Sequence, residues 1–132
     1  MKVIPDKEGN MFFSRKKSMT EREVVTVALT AATVFLIVER KSPITSAAHA
    51  QKRVDEAIDA VINAHYDTRP SEKDMRFIVL GTSALVDDGG RKFVETRIER
   101  FIGGVKGVFP EEVDIAHMIV NKRLNEVFAS DK

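Results

Sequence analysis

The sequence predicts an all-α fold, a compact bundle of about five helices with a central apolar helix at residues 21–41. Three observations predict it. The run from Val24 to Val38, VVTVALTAATVFLIV, is polar only at Thr26, Thr30 and Thr33, and a helix apolar on every side has to be covered on every side. Four later segments repeat apolar residues at spacings of three and four, the period of an amphipathic helix. Helix-start and helix-stop residues punctuate the chain between them.

Residues 1–18 precede these segments as a basic N-terminal arm, and residues 19–132 are expected to form a single helical domain. The arm carries Pro5 and Gly9 as breakers, an apolar knot at Met11-Phe12-Phe13, and the cations Arg15, Lys16 and Lys17. Phe12 and Phe13 are its candidate interaction residues, able to staple onto the domain or onto a neighbour.

The first helix starts at Thr20, which stands three residues before Glu23 at the capping-box spacing. It runs to about Lys41, where Arg40 and Lys41 suit the negative end of the helix dipole. Pro43 then disfavours helical geometry at Ser42. Val25, Leu29, Phe35 and Leu36 are its expected core residues. The second helix is predicted from about Pro43 to His65, on a stripe of Ile44, Ala47, Ala48, Val54, Ala57, Ile58, Val61 and Ile62. It should pack antiparallel to the first, its alanines allowing close approach.

Ser71, with Asp74 three residues on, opens a third helix that reaches Val86. Gly81 lies in its middle, where glycine costs about 1 kcal/mol against alanine. Asp87-Asp88-Gly89-Gly90 ends it. Asp-Gly between apolar runs is also a hairpin signal, so residues 76–86 and 92–102 have a rival reading as paired strands. The strand reading puts Arg100 among Val94, Ile98 and Ile102, whereas Val94, Ile98, Phe101, Ile102 and Val105 fit a helical stripe. A fourth helix at 91–102 is therefore preferred. Gly103-Gly104-Val105-Lys106-Gly107 breaks it. Pro110 begins the fifth helix, where a missing amide costs nothing, with Glu111, Glu112 and Asp114 in its first turns. It should end near Phe128.

Composition bounds the function. The chain has 132 residues, 43% apolar and 31% charged, a globular rather than disordered balance. It has no cysteine, which excludes disulfides, thiolate metal sites and a cysteine nucleophile and fits a reducing, cytoplasmic setting. The net charge of +1 conceals two basic segments: residues 1–22 carry six Lys/Arg against three Asp/Glu, and residues 91–109 carry five against two. The 15-residue apolar run, flanked by Glu23 and Glu39, falls short of the ~20 residues a bilayer span needs. A signal peptide fits poorly, since Glu21 and Glu23 separate the basic residues from the run.

No enzyme is expected. Thr82-Ser83 lacks the G-x-S-x-G elbow, and Asp87-Asp88 and Glu111-Glu112 sit at helix ends, where capping accounts for them. The glycine segment at 103–107 lacks the G-x-x-x-x-G-K-[ST] phosphate-loop pattern. His49 and His65 point about 160° apart on one helix, and Asp114 with His117 is a lone i, i+3 pair. No metal or cofactor is predicted.

What remains is a non-catalytic protein-interaction module, a small regulator, adaptor or assembly component. Its expected partner is a protein, with a second copy in a homodimer. The alternative is weak nucleic-acid binding through a basic helix at 91–106, using Arg91, Lys92, Arg97, Arg100 and Lys106 on phosphates, although Glu95 and Glu99 interrupt that group. A second alternative is membrane association through residues 24–38.

Overall fold

The computed structural model describes residues 19–87, 89–105 and 107–130, with side chains to residue 127. The arm, with Phe12 and Phe13, and Lys106 lie outside the described residues. Five helices follow in order: α1 (Glu21–Lys41), α2 (Ala47–His65), α3 (Glu72–Val86), α4 (Arg91–Ile102) and α5 (Pro110–Ser130). The described residues contain no strand. Both arms of the rival hairpin are helical.

The start of α1 is the expected capping box. Thr20 Oγ1 accepts from the Glu23 amide at 3.1 Å, and Glu23 Oε1 accepts from the Thr20 amide at 2.8 Å. Ser71 likewise accepts from the Asp74 amide at the start of α3. The second helix begins four residues later than Pro43 suggested. Ser46 caps it by accepting from the His49 amide, which leaves residues 43–45 to turn the corner from α1. Ala47 and Ala48 are consequently exposed, and of the alanines expected against α1 only Ala57 is buried.

Side-chain ties give the helix directions. Arg53, early in α2, donates to the Ser42 carbonyl just past α1, while Tyr66, just past α2, feels the charge of Glu23 at the start of α1. The two helices are therefore antiparallel, as expected. The Met19 amide donates to Asp74 at the start of α3, and Ala28 abuts Gly81 further along both, so α3 runs parallel to α1. Helix α4 descends again, with Arg91 paired to Glu39 and Arg97 bonded to Thr33. Helix α5 crosses both neighbours, with Asp114 tied to Arg22 and Arg123 to Asp87.

Helices α1 and α3 each touch all four other helices, and α1 carries the longer set of buried residues. Val25, Leu29, Phe35 and Leu36 are all buried, together with Ala28, Ala31 and Ala32. The burial of α1 is nonetheless incomplete. Thr26, Thr30, Val34 and Ile37 are only half-buried, and Val38 is 39% exposed. At 100° per residue these positions form one stripe between the side facing α2 and the side facing α4, two helices that do not meet. The threonines tolerate this because Thr26 and Thr30 donate to the carbonyls of Arg22 and Thr26, which satisfies each hydroxyl without a neighbour.

Gly81 has a packing reason. A Cβ there would lie 3.2 Å from Ala28 Cβ and 3.4 Å from Val120 Cγ2. Three helices meet at that point, and a side chain there would have to push its neighbours apart by a few tenths of an ångström. Helix α4 departs from its expected stripe: Val94 and Ile98 are buried, but Ile102 is 64% exposed and Val105 48% exposed. The inward position between Val94 and Ile98 is taken by Arg97.

Candidate interaction surface

The corner between α4 and α5 holds Arg97 and Glu112, two of the three buried charged side chains among the described residues, together with several exposed apolar ones. The 103–109 connection turns through Gly104 at φ +101° and Gly107 at φ +94°, left-handed geometry that glycine adopts without strain. It is a helix-to-helix turn, as its lack of a phosphate-loop pattern implied.

Arg97 crosses the inside of this corner. Its Nη1 donates to Thr33 Oγ1 on α1 at 2.9 Å, and its Nη2 donates to the Gly107 carbonyl at 3.4 Å. Its Nε faces Glu112 Oε1 at 3.6 Å, an ion pair beyond hydrogen-bond distance. Burial lowers the Arg97 pKa from its ordinary value; the Glu112 charge pulls it back up, and Arg100 lowers it again. Glu112 is buried as deeply. Its Oε1 also accepts from the Phe109 amide at 3.0 Å, capping α5, and its Oε2 pairs with Arg100 Nη2 at 3.2 Å. The Arg100 guanidinium lies 4.5 Å from the centre of the Phe109 ring, in cation–π range. One buried carboxylate thus serves two arginines and a helix end, and fixes the corner to α1.

Outside this rigid frame stand apolar side chains: Ile102 and Val105 on the corner, and Ile115 and Met118 on the outer side of α5, Met118 at 72% exposure. Exposed apolar groups that adjoin one another on a folded surface mark contact sites more often than isolated ones do.

The predicted basic helix is not one phosphate-facing surface. Arg97 is enclosed, Arg91 is paired with Glu39, and Arg100 is held by Glu112. Lys92 is exposed. The histidines lie apart: His49 Nδ1 accepts from the Thr45 amide, and His117 Nε2 stands 3.7 Å from Glu21 Oε2. Among the described residues, no three His, Asp or Glu side chains gather as a metal-holding group. Nor does any described helix have the length and apolarity to cross a membrane.

The Arg97–Glu112 pair was missed in the sequence, although one signal was present. Val94, Arg97, Ile98 and Phe101 follow i, i+3, i+4, i+7, so Arg97 occupies a core position by period. No protein-family model, curated protein or solved structure matches the chain. The functional argument therefore rests on the residues themselves.

Proposed function

We propose that the protein is a non-catalytic interaction module, a small regulator, adaptor or assembly component that associates with a second copy of itself through the α4–α5 corner. The observation carrying this reading is the exposure of Ile102 and Val105 beside the Arg97–Glu112–Arg100 network that ties α4 to the start of α5. Preorganised apolar groups lose little conformational freedom on binding. A patch repeated on two identical chains can bury itself about a two-fold axis, and Ile115 and Met118 extend the available surface. A cysteine-free chain also suits a reducing compartment such as the cytoplasm.

Light scattering after size exclusion tests the reading. The wild-type mass should exceed the 14.8 kDa of one chain, and the double substitution Ile102→Glu, Val105→Glu should return it to one chain without loss of helicity. A wild-type protein that stays at one-chain mass up to its solubility limit would refute self-association.

A further inference from the structure

Where the arm joins the domain, a cleft of about 280 Å³ opens between the start of α1, the start of α3 and the middle of α5. Met19, Val24, Val25, Phe77, Val120 and Leu124 give it apolar walls, and Glu21, Asp74 and His117 lie on its polar side. The volume falls just below the ~300–1,000 Å³ usual for ligand pockets, a size suited to one aromatic ring. Its acids carry two negative charges against the single positive charge of Lys73. The Asp74 carboxylate accepts from the Met19 amide at 3.0 Å and has no cation partner among the described residues. His117 Nε2 is buried without a hydrogen-bond partner. The cleft thus presents an apolar hole beside two carboxylates, Asp74 without an ion pair among the described residues and Glu21 3.7 Å from His117 Nε2, which fits an aromatic side chain followed closely by cations.

The chain carries that combination next to the cleft. Phe12-Phe13-Ser14-Arg15-Lys16-Lys17 ends two residues before Met19, and Met19 itself lines the cleft. We propose that a ring of the Phe12-Phe13 pair occupies this cleft in the same chain, with Arg15, Lys16 and Lys17 against Glu21 and Asp74. Five residues lie between Phe13 and Met19, a reach of up to ~20 Å over the six steps when extended, and folding back to the adjacent cleft needs less. A tether this short holds the segment at an effective concentration of about millimolar, which favours the chain's own arm over that of a second copy. The assignment does not depend on self-association through the α4–α5 corner.

The absence of cysteine makes a single spin label simple to place. Asn10→Cys carrying a nitroxide, in the full chain, should broaden the amide signals of Phe77, Asn121 and Leu124. Adding Phe12→Ala and Phe13→Ala should cut that broadening to what the short tether alone produces, and Glu21→Lys, at a well-exposed site, should weaken it; broadening left unchanged by the phenylalanine substitutions would overturn the proposal. A mixture of spin-labelled chains without isotope and isotope-labelled chains without spin label should show none at these positions. Broadening confined to Ile102 and Val105, or absent everywhere, would overturn the proposal. Broadening of the cleft in the mixture alone would replace the chain's own arm with a second copy's and also overturn it.

Discussion

Replacing Glu112 by glutamine should be the most damaging conservative substitution in the α4–α5 corner, and the structure says why. Glutamine keeps the shape and can still accept from the Phe109 amide, so the cap on α5 survives. What disappears is the negative charge facing Arg97, whose side chain is only 8% exposed. Its remaining partners are the Thr33 hydroxyl and, at 3.4 Å, the Gly107 carbonyl. Stranding a buried charge in this way costs about 3–5 kcal/mol, a large share of the ~5–15 kcal/mol that stabilises a typical domain. The thermal midpoint should fall by roughly 10–15 °C. Arg97→Met leaves Glu112 with Arg100 and the Phe109 amide, and should cost only about 1–2 kcal/mol. The double variant is the decisive case. With the cation gone, the glutamine no longer strands anything, while the half-exposed Arg100 relies on solvent. The double variant should therefore be more stable than Glu112→Gln alone. Urea unfolding followed by circular dichroism measures all three. Additive losses, or a double variant less stable than either single one, would refute the claim that Arg97 depends on Glu112.

Two further outcomes follow from the packing and from Tyr66. Gly81→Ala gains ~0.8–1 kcal/mol of helix propensity but must push its new methyl against Ala28 Cβ at 3.2 Å, and Ala28 has no rotamer with which to give way. With overpacking costing about 1–3 kcal/mol, the net effect should be a loss of about 1 kcal/mol in urea unfolding; a rise in stability would show that the three-helix contact has slack. Burial, aided by the Glu23 charge, raises the Tyr66 pKa above its ordinary value. Above about pH 10 the native state then keeps a proton that the unfolded chain has released, so stability falls as pH rises through that range. Tyr66→Phe should make this fall shallower. Tyr66 is the only tyrosine and there is no tryptophan, so the tyrosinate absorption titrates this residue alone, and a midpoint at or below 10 would contradict the burial.

Local signals were legible and tertiary ones were not. Thr20 with Glu23, and Ser71 with Asp74, announce helix starts by spacing, because the bonds they make join neighbours in sequence. Pro43 misplaced the start of α2, since a proline can equally sit in a corner before a serine that caps, and Ser46 is that serine. The α1 run looked as though it needed cover all round. Its threonines are satisfied by their own helix, so one stripe can face water between α2 and α4. Arg97 was hidden for a different reason: its carboxylate partner lies on another helix, and only the turn at 103–109 brings the two together. Ile102 and Val105 read as core by period, but the α4–α5 turn leaves them outside.

Helix α2 rests on α1 and α3 and meets neither α4 nor α5. Its inner residues, Val54, Ala57, Ile58, Val61 and Ile62, are aliphatic, and its ties to other segments are surface bonds such as Arg53 to Ser42 and Arg69 to Asp59. A layer attached along one seam can lift before the rest of a domain unfolds. Such an excursion would bare a greasy strip on both halves of the opened seam, while the arginine-pinned corner on another side of α1 stays shut. Native-state hydrogen exchange would report such an opening as amides of α2 exchanging together, ahead of those in α1.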